Sequence, residues 1–221
     1  MRQLLPLLLV ATTTACGTAS RYGTPRTLAP GETTTVATLD VTPGVEFNGT
    51  DGIAPLPRLG ARHGLTDTLE IGGSITGLPP LVGEAGLDLK WNFHRSPGLD
   101  LALAPAVGAL LVANFDDEDD WDEDDDATEV DAALFHATLP LLAGINVARW
   151  ATVVPHAGLG LFTSREATGP YASVGVGLQF RPSATFAIQP GVEILRRLDG
   201  DEATLASVSL GLFFGPQPRF D

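Results

Sequence analysis

Short stretches of this chain alternate apolar residues with polar or very small ones, position by position. Between Leu81 and Phe93 every odd position is uncharged, whereas the even positions include Glu84, Asp88 and Lys90. The same alternation returns further along the chain, at 172–181 and 185–194. Successive side chains of a β-strand point to opposite faces, so the pattern predicts strands with one uncharged face and one polar face.

The polar face of these predicted strands has an unusual composition. It is rich in Gly, Ala and Ser, and it also carries the few acids and bases of these stretches. In a soluble sandwich the face toward water would carry Lys, Glu and Thr. A transmembrane barrel has small and polar residues inside and an apolar face toward lipid, where a mid-depth charge costs about 2 to 4 kcal/mol. The uncharged face therefore favours a barrel in a membrane.

About ten alternating stretches follow one another, which predicts an all-β fold. The fold class is an antiparallel up-and-down transmembrane β-barrel of about ten strands, eight to ten being the expected range. Short connections alternate with mostly longer ones, except at 77–80, as periplasmic turns and extracellular loops do. Pro43, Pro55 and Pro57 make the first hairpin the least regular. The predicted strands cover 35–47, 53–65, 68–76, 81–93, 99–113, 131–147, 151–163, 170–181, 185–197 and 204–214.

The first residues have the features of an export signal. Arg2 precedes an apolar run over 4–10, which is followed by small residues up to Cys16, the only cysteine. The residues before Cys16 resemble a bacterial lipobox, with Thr13 where Leu is usual, so Cys16 is the predicted lipidation site. Ordinary cleavage after Ala15 or Ala19 is the alternative.

Composition divides the chain into four parts. Residues 1–15 are the predicted signal peptide, and 16–34, rich in Gly, Pro and Thr without periodicity, are predicted to be a flexible periplasmic tether. The barrel is expected over 35–215, and 216–221 form a C-terminal tail. The predicted location is the outer membrane, with a lipid anchor.

One acidic run dominates the net charge of −14, because removing its ten carboxylates would leave −4. Hard cations such as Ca²⁺ bind carboxylate oxygens, so the run is a candidate divalent-cation site, although it lacks the Gly of an EF-hand loop. The alternative is a solvated loop whose charges repel one another. No basic stripe is present, which argues against nucleic acid as a partner. The run consists of Asp116, Asp117, Glu118, Asp119, Asp120, Asp122, Glu123, Asp124, Asp125 and Asp126.

A second candidate set is polar and predicted to face the barrel interior. Both signs of charge occur in it, so an internal salt-bridge network is the expected arrangement. A narrow polar channel is the alternative, because many other inward positions are Gly or Ala and would leave space. The predicted interior polar network is Asp40, Glu46, Arg58, Arg62, Glu70, Glu84, Asp88, Lys90, Asp100, His136, His156, Arg181 and Glu193.

Catalysis is not expected. His136 and His156 would face inward on adjacent strands and could form a hydrolase site with an Asp or Ser. No nucleophile elbow, zinc-protease helix, phosphate loop or C-x-x-C motif accompanies them, and no cofactor is predicted.

Two phrases carry a family resemblance: Thr27-Leu28-Ala29-Pro30-Gly31, and the segment RHGLTDTLEIG at 62–72. Over about 27–215 the chain resembles small, largely uncharacterised outer-membrane β-barrel proteins of Gram-negative bacteria. The Gly211-x-x-Phe214 ending is similar to the terminal signal of such barrels. The resemblance implies contact with outer-membrane lipid, lipopolysaccharide and the outer-membrane assembly machinery, and it implies no catalytic residue.

The expected function is therefore a non-enzymatic outer-membrane barrel with a structural or surface-interaction role. The first alternative is a small, weakly selective pore, and the second is an outer-membrane hydrolase. A soluble lipocalin-like binder of apolar ligands is the third alternative, which requires the apolar face to point inward.

Overall fold

The computed structural model describes residues 22–47, 50–78, 82–113, 130–164, 168–199 and 204–218. They form a closed antiparallel barrel that is 10 strands around, in which the first strand, Thr33–Phe47, pairs with the last, Thr204–Phe214, and Thr35 lies opposite Phe214. Among these residues no helix is long and apolar enough to cross a bilayer. The strands are β1 (Thr33–Phe47), β2 (Thr50–Gly64), β3 (Leu69–Leu78), β4 (Val82–Arg95), β5 (Leu99–Leu103), β6 (Ala106–Ala113), β7 (Val130–Ala148), β8 (Ala151–Thr163), β9 (Thr168–Ser183), β10 (Phe186–Arg197) and β11 (Thr204–Phe214).

The fifth predicted strand, 99–113, is divided in the structure. Its two parts, β5 and β6, both pair with β4 and β7, and together they occupy one strand position in the barrel. The division falls at Pro105, which has no backbone N–H to donate to a neighbouring strand. Its carbonyl still accepts a hydrogen bond from the Leu89 N–H at 3.0 Å, so the sheet continues past the interruption.

The uncharged face of the strands points outward, as predicted. Leu59, Ile75, Leu87 and Leu159 are 58 to 64% exposed, and similar side chains follow around the barrel. An apolar surface of this extent is typical of a barrel that contacts lipid. The soluble lipocalin-like alternative is wrong, because it requires these side chains to fill the interior.

The two ends of the barrel differ. The turn end carries the tight connections 65–68, 96–98, 149–150 and 184–185, and β1 begins and β11 ends there. Three aromatic pairs lie at this rim, with ring centroids 5.4 to 6.1 Å apart. Short turns face the periplasm in bacterial barrels, so we expect the turn end to be the periplasmic one. The aromatic pairs are Trp91–Phe93, Trp150–Phe180 and Phe186–Phe214.

The segment before β1 differs most from its prediction as a flexible tether over 16–34. Its described part enters the barrel, and every residue of 22–28 is buried; we call 22–28 the strap. The chain leaves the lumen at the turn end, where the Gly31 N–H donates to the Gly64 carbonyl at 2.8 Å. The composition of the strap gives no periodic signal, but its polar groups bind polar groups of the barrel interior. Residues 16–21 lie outside the described part.

The start of the predicted C-terminal tail also folds back. Gln217 is buried, and its N–H donates to the Ala184 carbonyl at 3.0 Å. The Thr34 hydroxyl donates to the Pro216 carbonyl. The described part of the tail therefore covers the turn end of the barrel.

Candidate functional site

A buried charged cluster lies near the turn end and joins β2, β3 and β4. The Arg62 guanidinium donates to Glu70 and, at 2.7 Å, to Asp88. Lys90 Nζ lies 2.9 Å from Glu70 Oε1. All four side chains are at most 3% exposed. Two cations and two carboxylates thus neutralise one another, which is the condition under which charges are stable away from water.

A second cluster lies further from the turn end, on β2, β4 and β7. Arg58 Nη2 donates to Glu84 Oε2 at 3.1 Å, and its Nε donates to the Thr76 hydroxyl at 2.7 Å. His136 Nε2 lies 3.0 Å from the other oxygen of Glu84. Glu84 therefore bridges two neighbouring parts of the interior wall.

The strap is bound to the wall through its own backbone. Lys90 Nζ donates to the Thr24 carbonyl at 2.9 Å. The Leu28 N–H donates to Glu70 at 2.8 Å, and the Gly23 N–H donates to the Gln189 side-chain oxygen at 2.8 Å. These contacts come from three different strands and hold both ends of the strap.

Arg26 makes the strongest contact between the strap and the barrel. Its guanidinium donates to both oxygens of Asp100, at 2.9 and 3.2 Å, and to the Ser96 carbonyl at 3.0 Å. Asp100 is 0% exposed and also accepts from Asn146 Nδ2 at 3.0 Å. Two-point pairing of this kind is stronger and more directional than a single hydrogen bond. At the other end of the strap the Tyr22 hydroxyl donates to Asp40.

Most of the predicted interior set lies on the lumen side of the wall. His156 is half-buried, with its Nε2 3.7 Å from Glu193 Oε1. Glu46 belongs to β1, but its side chain falls outside the described part, as do Cys16 and the acidic run at 116–126. The buried members are Asp40, Arg58, Arg62, Glu70, Glu84, Asp88, Lys90, Asp100, His136, Arg181 and Glu193.

The two candidate histidines of a hydrolase do not come together. In the pairing of β7 with β8, His136 lies opposite Phe162, whereas His156 lies opposite Leu142. The residues are therefore well separated along the barrel, and each contacts a different glutamate, Glu84 or Glu193. Within the described ranges, no three His, Cys, Asp or Glu side chains come together as a metal site.

Sequence reasoning missed the strap. It also missed two side-chain amides: Gln189, which contacts the strap, and Asn146, which contacts Asp100. Strand alternation identifies inward residues only within strands, so it could not include Arg26. Charge balance was a usable signal, because the predicted interior set has seven carboxylates but only four Lys and Arg residues. Carboxylates inside a membrane barrel need cations, and the strap supplies one of them to Asp100.

No protein-family model matches this chain, and no curated protein matches it. Among solved structures it is similar to an outer-membrane channel from Pseudomonas putida F1, with 12% identity, a TM-score of 0.52 and coverage of 88% of this chain and 98% of that one. It is also similar to the translocator domain of the autotransporter NalP from Neisseria meningitidis, with 11% identity, a TM-score of 0.50 and coverage of 86% and 89%. The fold is that of an outer-membrane β-barrel. At these identities the likeness shows the fold alone.

Proposed function

We propose that this protein is a non-enzymatic outer-membrane barrel with a closed lumen and a structural or surface-interaction role. The occupied turn end of the lumen is the observation that supports this role. A cavity of only about 20 Å³ is left beside Gly23 and Lys90, between the strap, the charged cluster around Arg62 and the described part of the tail. That volume holds about one water molecule, which supports a closed turn end.

Conductance in planar bilayers tests this proposal. The full-length protein, extracted from outer membranes, is expected to insert without stable unitary conductance steps. The same preparation must show heat-modifiable migration on gels, so that an unfolded sample is not mistaken for a closed barrel. Stable steps from the folded protein would contradict the closed lumen.

A small pore remains the second candidate, because one part of the lumen wall has little side-chain volume. Gly158, Gly160 and Gly175 face inward on β8 and β9 and are only partly buried. Stable conductance of the intact barrel would favour this pore, and the size of the steps would give its width.

The acidic run at 116–126 is proposed to bind divalent cations weakly, at several places, on the extracellular side. Calorimetric titration with Ca²⁺ tests this, using the full chain and a variant with all ten acids replaced by Asn or Gln. Heat that is lost in the variant supports binding. Equal heats in both proteins would leave the run as a solvated loop.

The export signal and the lipid on Cys16 are proposals from the sequence. Mass analysis of the N-terminal peptide from outer-membrane protein tests them together. An acylated Cys16 supports the lipid anchor, whereas an N-terminus after Ala15 or Ala19 without acyl groups would contradict it.

A further inference from the structure

We propose that the turn end of the lumen is a peptide-binding seat for an extended segment that carries an arginine, and that the strap is its resident ligand. The seat consists of Glu70, Lys90, Asp100, Gln189 and three wall glycines, Gly64, Gly144 and Gly211. The inference deepens the closed-lumen proposal, because it names the interaction that closes the barrel.

The strap is bound as a ligand is bound, and it is not part of the sheet. Residues 22–28 form no strand, and the barrel closes through β1 and β11 without them. The backbone groups of the strap bond to side chains of the wall, namely Lys90 and Glu70 on one side of the lumen and Gln189 on the other. The strap can therefore leave without breaking any strand pairing.

The seat recognises two kinds of group. Backbone N–H and C=O groups contact Gln189, Glu70 and Lys90, and any extended peptide offers such groups. The planar fork of an arginine is required at one position, where Asp100 accepts two hydrogen bonds from Arg26. A lysine presents a single point charge and cannot reproduce this pairing.

The shape of the wall gives an independent argument for a built site. A Cβ added at Gly144 would lie 2.8 Å from Pro25 Cδ, and one added at Gly64 would lie 2.7 Å from the Leu28 carbonyl oxygen. At Gly211 the added Cβ would lie 3.1 Å from the Tyr22 ring. Side chains are thus absent from the wall at the beginning, middle and end of the strap.

The seat exists only in the closed barrel. Glu70, Lys90, Asp100 and Gln189 belong to β3, β4, β5 and β10, which meet around the lumen when the strands have paired. The strap therefore binds a site that the assembled barrel provides, and a peptide supplied separately can occupy the same site.

The decisive experiment uses the full chain and a variant without 22–28, each checked for heat-modifiable folding. The probes are the acetylated, amidated peptide YGTPRTL and its counterpart with alanine at the arginine. We expect the variant to conduct and the arginine peptide to close it. The alanine peptide should close the variant only at a concentration at least about tenfold higher, because a buried charge-assisted pair is lost.

A second variant keeps the test independent of the deletion. In the full chain, Asp100→Asn removes the charge that Arg26 pairs with, so the strap should leave its seat more often. Trypsin should then cut after Arg26 at least about tenfold faster than in the wild type. Asp67→Asn is the matched control, because Asp67 is exposed and contacts the strap only through its backbone carbonyl.

Three results would overturn the seat: a folded deletion variant that does not conduct, closure of that variant by both peptides at equal concentrations, or Asp100→Asn protein as resistant to trypsin as the wild type. Conductance by the intact full chain is a separate result. It would contradict the closed lumen, whereas selective binding of the arginine peptide would still support the seat.

Discussion

The two sides of the lumen are built in different ways. The charged wall, formed by β2, β3 and β4, carries Arg58, Arg62, Glu70, Glu84, Asp88 and Lys90 on its inner face. The glycine wall, formed by β8 to β11, carries Gly158, Gly160, Gly175, Gly177, Gly191 and Gly211 there. Long side chains of the charged wall fill the interior next to it, and their positive and negative charges balance. The glycine wall leaves space that another segment can occupy.

The strap occupies the space between these walls and uses both of them. It receives hydrogen-bonding partners from the charged wall, namely Lys90 and Glu70, and room from the glycine wall at Gly211. A buried charge without a partner is costly, so the charged wall should tolerate substitution poorly. Added side chains on the glycine wall should lower the unfolding free energy mainly by displacing the strap.

The largest effect is expected for Arg62→Met on the charged wall. It removes the cation between Glu70 and Asp88 and leaves two buried carboxylates with Lys90 alone. Breaking one side of such a buried pair costs about 3 to 5 kcal/mol in unfolding free energy. Urea unfolding of protein refolded into lipid vesicles measures this loss.

The control for that loss is Arg196→Met, which changes the same residue type at an exposed position of β10. Arg196 lies on the outward face at the end of its strand, where a charge near the membrane interface costs about 0 to 1 kcal/mol, so we expect a change within about 1 kcal/mol. Equal losses at both positions would contradict the special role of the charged wall.

The next effect tests how tightly the charged wall is packed. A Cβ added by Gly72→Ala would lie 2.5 Å from Asp88 Oδ2 and 2.9 Å from Arg62 Nη1, so the ion pair must shift. We expect a loss of about 1 to 3 kcal/mol from overpacking. In Gly83→Ala, on the neighbouring strand, the added Cβ meets nothing within 4 Å, so the unfolding free energy should stay the same or rise slightly.

The walls themselves could be predicted from the sequence, but the strap could not. Alternation fixes which residues of a strand face inward, because a shift by one residue would put charges into lipid. Arg62, Glu70, Asp88 and Lys90 follow from that rule, whereas their pairing depends on strand register. The strap has neither periodicity nor a strand partner, and Arg26 pairs with Asp100 across a sequence separation of 74 residues.

A smaller effect is expected for Gly211→Ala on the glycine wall. The added Cβ would lie 3.1 Å from the Tyr22 ring, which can move by a few tenths of an ångström. The cost of this shift is partly offset by the lower chain entropy of alanine, so the loss should not exceed about 1 kcal/mol. Faster tryptic cleavage after Arg26 should accompany it, because the strap is the part that moves; a large loss without faster cleavage would contradict this explanation.

The smallest effect concerns a charge pair outside both walls, at the end of β10. The hydrogen bond from Arg197 to Asp199, 2.7 Å long, lowers the pKa of the exposed Asp199 carboxyl. A lowered pKa adds stability that is complete above the unfolded value of about 3.9 and is lost as the pH falls through the folded value. Asp199→Asn should therefore shift the urea midpoint slightly at pH 7, and the difference from the wild type should vanish in acid. A difference that grows toward low pH would contradict this sign, and one as large as that of Arg62→Met would show that burial inside the lumen is not what distinguishes the charged wall.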